Sequence, residues 1–598
     1  MTAPLTPTER AAPGLAVAGI LGGVAFFLVV AKGAGTAPFG AALPAALALL
    51  AVGGALVTRE LRRPAPARAP EWPLVLVVAL ATGLALSTLW GLSFYLRFPA
   101  DFLGFWEGDY LNDLLQFHKG VPLYGDVLDN IDSVYTPGAQ LLTYGIARLF
   151  GVEFSVVPLR LIQFSYVLVA AAVATSTADH LARRFLAPGE YAARPLWLAA
   201  WFPLLVLVGV EPRFNLNVHT LHPDSFTLLL SACGFWLLAR HLLRPGLGVT
   251  VGMALLPAVG FWSKQSLVIW LVLFGGYLVV SGRRAREIVT FSVLGALFLA
   301  LSLWLLFRVG GPQTGYWIFG VLGDKSVGLG RSLQAFVLAG GYVGMLLLAL
   351  WELVLRDRSV PALLAWLVPA GLLLLECYTT GIGWQKNHLG PGVLMAATFG
   401  LATLPRLWQR LLATPEPQVR LVGQLGFALG IGLLPPALGL VREPVNKVPE
   451  EALAQVAAIE AEFRGMDPHK VLLDRGSWVY LPDTTLQKDR ASAVQLHLGA
   501  NSPRMDLDAI QGTLARIRAE TYDKLLIHTF PKGNPYDWHS RGSGIPEAID
   551  SHYVAVRVIP GATELDEWWP KRLLTPVTVY VARSRLPAGA TGPAPVAP

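Results

Sequence analysis

Runs of about 17–25 mainly apolar residues, long enough to cross a hydrocarbon core as a helix, recur through the first 441 positions. They lie at 14–32, 39–58, 73–95, 156–178, 195–211, 222–240, 248–263, 265–281, 287–308, 333–355, 360–377, 390–405 and 419–441, which predicts 13 transmembrane helices. From 442 onward the pattern changes to short alternating elements. EEALAQVAAIEAEF (450–463) and LDAIQGTLARIRAE (507–520) have helical spacing, whereas KVLLD, KLLIH, YVAVRVI and TPVTVYVA have strand spacing. Helix and strand in alternation predict a small α/β domain with a partly parallel sheet. The end of the chain, LPAGATGPAPVAP, reads as a disordered tail. The fold class expected is an α-helical polytopic membrane protein with a small C-terminal α/β domain. Its expected divisions are an N-terminal hairpin with its loop (1–72), a membrane domain (73–441), the α/β domain (442–585) and the tail (586–598).

Composition sharpens this picture. Only 15% of the residues are charged and mean hydropathy is +0.51, which excludes a soluble enzyme, a disordered chain and a fibrous protein. Residues 442–598 hold 37 charged residues, against 50 in the 441 before them. Arginines mark alternate loops: Arg59, Arg62, Arg63 and Arg68; Arg183, Arg184 and Arg194; Arg240 and Arg244; Arg283, Arg284 and Arg286; Arg356 and Arg358; Arg406 and Arg410. The positive-inside rule puts these loops and the N-terminus in the cytoplasm, and an odd number of spans puts the α/β domain outside. A signal peptide at 14–31 is disfavoured by its length and by Arg10 being the only basic residue before it. The net charge of +7 belongs to loops that meet anionic membrane lipids; no basic stripe or motif points to nucleic acid. Cys233 and Cys377 fall in separate apolar segments and support neither a disulfide framework nor a thiolate metal site.

Four polar clusters fall on the predicted outer side. The first is the loop at 96–155, with WEGDYLNDLLQFHKGVPLYGD at 106–126, YTPG at 135–138 and a predicted amphipathic helix at 137–150. Glu107, Asp109 and Asp113 sit there beside Phe102, Phe105 and Trp106, where partial burial makes a carboxylate a plausible general base. The second, EPRFNLNVHTLHPDSF, crowds Arg213, His219, His222 and Asp224 at a span boundary, where ionisable groups are functional candidates; Asp224 also suits a helix start. In the third, FWSKQSL, Lys264 and Gln265 separate two apolar runs, and a lysine there suits a phosphate. The fourth, GWQKNHLGP, offers Lys386, Asn387 and His388 as donors to phosphate or sugar hydroxyls. No metal site is expected from His219, His222 and Asp224, whose spacing is common; no cofactor is implied, and a divalent cation stays compatible with these residues.

The first loop resembles that of GT-C class polytopic glycosyltransferases, in particular protein mannosyltransferases and aminoarabinose transferases. An acid followed by glycine, a helical stretch, Gly-x-x-x-Tyr and an aromatic-Thr-Pro are shared: here Glu107-Gly108, Gly120 to Tyr124, and Tyr135-Thr136-Pro137. Where many relatives have Asp-Glu adjacent, this chain has Trp106-Glu107 and then Asp109, which leaves open which carboxylate is the base. The resemblance implies a GT-C-like fold in the cell (inner) membrane, a polyprenyl-phosphate-linked sugar donor, and a glycan, lipid or protein acceptor. Glu107 or Asp109 would act as base, and Lys264, aided by Arg213 or Lys386, would stabilise the leaving phosphate. Gln265, His222, Asp224, Asn387, His388, Tyr124 and Tyr135 would line the substrate site. Two other classes compete. A transporter or flippase would favour broken helices and internal repeats, and no repeat is found. A polysaccharide ligase or polymerase would rely on a late outer loop.

Overall fold

The computed structural model describes residues 72–98, 107–124 in part, 135–153, 156–320 except 212 and 216, and 327–381. It also describes 386–437, 450–473 except 468 and 469, 512–528 except 513, and 544–586 except 562–575. The two apolar segments before residue 72 and the candidate base Asp109 lie outside the described residues.

The later apolar segments fall on helices. These are α1 (Trp72–Arg97), α3 (Val156–Phe185), α4 (Arg194–Gly209), α5 (Asp224–Leu243), α6 (Leu247–Ser263), α7 (Ile269–Val280) and α8 (Ala285–Gly310). Next come α9 (Leu329–Leu338), α10 (Gly340–Ala349), α11 (Val360–Thr380), α12 (Gly390–Leu401), α13 (Leu404–Leu412) and α14 (Pro417–Ala437). The amphipathic segment of the first loop forms α2 (Gly138–Leu149). Among the described residues, five helices are long and apolar enough to cross a membrane, and a bent pair makes a sixth.

Two segments differ from single spans. The stretch read as 333–355 runs through α9, α10 and the π-helical turn Leu350–Val354, and Leu329–Leu338 is bent by 60° from Gly340–Asp357, where the Gly340-Gly341 pair supplies no side chains to hold a straight helix. The stretch read as 390–405 stops at Leu401, and α13 restarts with Pro405 in its first turn, where a missing N–H costs nothing.

Small residues set the packing of the bundle. Ala170, Ala171, Ala174 and Ala178 of α3 are buried, letting helices approach closely, as is usual where lipid removes the hydrophobic drive between them. A side chain at Gly234 of α5 would run into Trp270 and Leu256.

The arginine-marked loops come together at one end of the bundle. Arg184 holds Asp357 at 2.8 Å, Arg406 holds Glu190 at 2.8 Å, and Arg410 holds Glu352 at 2.7 Å. Arg406 also donates to the carbonyls of Glu352 and Phe185. The end of α3 with the residues after it, the stretch that follows α10, and α13 are thus tied together although far apart in sequence.

After α14 the chain forms α15 (Glu450–Phe463), β1 (Val471–Leu473), β2 (Lys524–His528), α16 (Ile545–His552), β3 (Tyr553–Ile559) and β4 (Val577–Ala582). Sheet order is β1-β2-β4-β3; β1 runs parallel to β2, and the other two pairings are antiparallel. Alternation along β2 sorts its two faces. Leu525 and Ile527 pack with Leu514, Ile517, Ile545 and Ile549, whereas Leu526 lies with Val577, Val579 and Ile559 on the other face. Glu462 of α15 is joined to Lys524 at 2.8 Å and to Arg557, fastening that helix to the sheet. Helix α16 is the element that the strand and helix spacing did not predict. Its signal is present in Gly544, which takes a left-handed φ of 76°, followed by Pro546 in the first turn.

Candidate functional site

The described residues from Glu107 to His118 have helical backbone, and Glu107, Tyr110, Leu111 and Leu114 are buried. Their spacing of three and four places them on one helical face. That face turns Glu107 towards Arg160 in the first turns of α3. Both side chains are 0% exposed, and the contact is bidentate: Arg160 Nε to Oε1 at 2.8 Å and Nη2 to Oε2 at 2.6 Å. Oε1 also accepts the Leu221 N–H at 2.9 Å. Arg160 spends its remaining nitrogen on the carbonyls of Tyr95 and Phe98. A buried charge of this kind requires its partner. Glu107 therefore fastens the first loop to α1, α3 and the segment entering α5.

One position along, the His222 N–H donates to Gln163 Oε1 at 3.1 Å, and Ser225 Oγ donates to the same oxygen at 3.3 Å. Gln163 Nε2 in turn donates to the Tyr110 hydroxyl and, at 3.4 Å, to Thr143. A buried amide on α3 thereby links the first loop to the start of α5.

Asp224 opens α5 and makes no side-chain cap, although an acid in the first turn suits the helix dipole. Its carboxylate turns instead to Lys264: Nζ lies 3.0 Å from Oδ1. His222 Nδ1 is 3.1 Å from Oδ2, and Asn217 Nδ2 is 3.4 Å from the same atom. Lys264 itself is 6% exposed. It sits in extended backbone, φ −158° and ψ 131°, at the reversal between α6 and the short 3-10 turn Gln265–Val268 that leads into α7. Gly260 makes this reversal tight, since a Cβ there would meet Leu267 at 2.8 Å.

The YTPG motif closes over that reversal. Thr136 donates to the Phe261 carbonyl, one of the acceptors that the end of α6 leaves unpaired. Gly138 lies so close that a Cβ would stand 2.6 Å from the Trp262 carbonyl oxygen. The Tyr135 ring is then held 5.1 Å from Lys264 Nζ and edge-on to His222 at 5.2 Å, within range of a cation–π attraction. Buried His222, Asp224 and Lys264 and half-buried Tyr135, drawn from three separate sequence clusters, thus form one group.

The other predicted residues are placed differently. Tyr124 is buried against Leu306 and Trp317, and its hydroxyl donates to the Tyr135 carbonyl at 2.7 Å. Gln265 donates to the Ile318 carbonyl at 3.4 Å. Arg213 pairs with Glu211, which also accepts the Tyr342 hydroxyl at 2.6 Å. His388 is half-buried in a 3-10 turn; the side chains of Lys386 and Asn387 lie outside the described residues.

Arg160, Gln163 and Glu376 are among the buried polar residues that the sequence reading did not single out. Arg160 and Glu376 are ionisable residues inside apolar runs, which is the signal that marks such positions. Among the described residues no group of three or more His, Cys, Asp or Glu side chains forms a metal site.

No protein-family model matches this chain, and no curated protein matches it. Among solved structures it is similar to ArnT from Cupriavidus metallidurans in the apo state, at 16% identity and a TM-score of 0.49. That match covers 85% of this chain and 97% of the other. It is also similar to the Archaeoglobus fulgidus oligosaccharyltransferase solved with Zn and sulfate, at 12% identity and a TM-score of 0.40, covering 76% of this chain and 68% of the other. Both are GT-C glycosyltransferases, the class that the first-loop motif resembles. At this distance the chemistry of the site rests on its own residues.

Proposed function

We propose that the chain is an integral membrane glycosyltransferase that moves a sugar from a polyprenyl-phosphate-linked donor to an acceptor hydroxyl at the extracytoplasmic face. The observation that carries this reading is Lys264, a buried cation at a helix reversal, paired with Asp224 and facing Tyr135. An ammonium has three donors, and Asp224 engages one of them. Donor capacity is therefore left for a phosphate oxygen in a site where low dielectric strengthens the attraction.

In the proposed reaction the acceptor O–H gives its proton to a carboxylate, and its oxygen forms a bond to the anomeric carbon. The bond from that carbon to the phosphate oxygen breaks, and its electron pair leaves with the polyprenyl phosphate, whose added charge Lys264 offsets. Attack opposite the leaving group inverts the anomeric centre. Glu107 has both oxygens engaged by a guanidinium and one of them also by a backbone N–H, which stabilises the ionised form and weakens it as a base. We assign it a positioning role and give Asp109 the role of base. His222, through Asp224, would hold the lysine in place.

The test is transfer by the purified protein in lipid nanodiscs supplied with polyprenyl-phosphate sugars, read as release of free polyprenyl phosphate. Lys264→Ala should abolish release while Lys264→Arg retains part of it, both variants remaining monodisperse. Unchanged turnover in the alanine variant would remove Lys264 from the mechanism.

A further inference from the structure

Helix α8 is the least covered of the five long apolar helices. Only 17% of its apolar window is buried in the bundle, against 44–61% in the other four. Arg286, Val289, Val293 and Leu297 are all exposed, and their spacing of three and four puts them on one face. A cation therefore heads a stripe of aliphatic side chains. Arg284, at the N-cap, is exposed beside it and supplies no side-chain cap, so the positive end of the helix adds to the two arginines.

Nothing described offsets this charge. Arg184, Arg194, Arg406 and Arg410 each meet a carboxylate, whereas Arg284 and Arg286 have no ion pair among the described residues. The acid of the first turn, Glu287, is turned inward. Its Oε2 lies 3.3 Å from Nε2 of His241, a fully buried imidazole that faces this turn with no hydrogen bond on either ring nitrogen. Arg283 also turns inward and donates to the Tyr277 hydroxyl at 3.3 Å. His241 closes α5, whose Trp236 donates to Ser176 of α3 at 3.1 Å. The start of α8 therefore lies at the arginine end of the bundle.

We propose that the start of α8 is a binding site for an anionic phospholipid of the leaflet at that end. Arg284, Arg286 and the helix end take the phosphate, and an acyl chain lies along Val289, Val293 and Leu297. Guanidinium groups match phosphate oxygens in charge and in donor geometry. A zwitterionic lipid brings its own cation to the same place and gains less. Free phosphate lacks the chain that the stripe would cover.

The experiment titrates the purified full chain in detergent with dioleoyl phosphatidylglycerol or dioleoyl phosphatidylcholine and counts bound lipid by native mass spectrometry. Phosphatidylglycerol should bind about 10-fold or more tightly than phosphatidylcholine. Arg286→Gln should weaken it about 5-fold, the scale of one arginine at an anionic surface, and the Arg284→Gln/Arg286→Gln pair about 10-fold or more, with melting unchanged. Arg284→Lys/Arg286→Lys should retain most of the binding. Arg358→Gln, which removes an exposed arginine elsewhere at the same end, should bind as the parent does. Inorganic phosphate in tenfold excess should leave the lipid in place. Equal binding of the two lipids, unchanged binding in the double glutamine variant, or equal weakening by Arg358→Gln would each overturn the site. Displacement by inorganic phosphate would overturn its assignment to a lipid.

Discussion

A carboxylate solvated at a membrane surface and one clamped by a guanidinium are the same letter in a sequence. Glu107 belongs to the second kind, because Arg160, 53 positions away, closes both its oxygens. Removing one partner of a buried pair leaves an uncompensated charge, so Arg160→Ala should cost about 3–5 kcal/mol of stability. Thermal unfolding in detergent checks this, and removing Glu107 as well should restore part of the loss. The clamp on Glu107 bears on which acid of the motif is the base. Asp109→Asn should lower turnover by ~10²-fold or more with little change in melting, the scale of general-base catalysis. Glu107→Gln should instead act mainly through stability. If Asp109→Asn keeps the parent rate while Glu107→Gln loses it in a well-folded state, the base is Glu107. The sequence showed the acids and Lys264; it did not reveal which cation each carboxylate would meet, since pairing depends on chain crossings hundreds of atoms apart.

At the scale of elements, the reversal between α6 and α7 is the device that brings the site together. Lys264 is buried because its backbone is extended between two apolar helices, and the YTPG segment docks on the exposed end of the first. Gly138 makes that docking possible. Gly138→Ala would place a methyl 2.6 Å from the Trp262 carbonyl oxygen, and backbone cannot yield as a flexible side chain does. The expected result is a loss of stability of about 1–3 kcal/mol, the usual cost of overpacking, together with weaker donor binding as Tyr135 leaves Lys264. Normal melting and normal binding in this variant would show that the motif does not support the site. Helix positions were legible from hydrophobic runs, and so were the strands β2, β3 and β4 from alternation. The 60° bend between α9 and α10 was not, because a Gly-Gly pair inside an apolar run allows a bend without requiring one.

At the scale of the molecule, the described bundle has two chemically different ends. One gathers Arg184, Arg406 and Arg410 with Asp357, Glu190 and Glu352; the other holds Lys264, Asp224 and Glu107. The arginine end is expected to face the cytoplasm and the lysine end the outside, with residues 442–598 also outside. Single cysteines placed at 66 and at 584 in a background lacking Cys233 and Cys377 test this. A membrane-impermeant maleimide applied from outside should label position 584 and spare 66; the reverse result would invert the assignment.

Apolar run length, alternation and the placement of arginines are local properties of the chain, and they were enough to determine a helical membrane protein with a mixed α/β tail. They also concentrated the candidate chemistry in the loops that carry Glu107, Asp224 and Lys264. Which of those residues meet one another was decided only by tertiary structure. Burial makes each charge depend on a particular partner, and that partner is set by helix packing: Arg160 for Glu107 and Asp224 for Lys264.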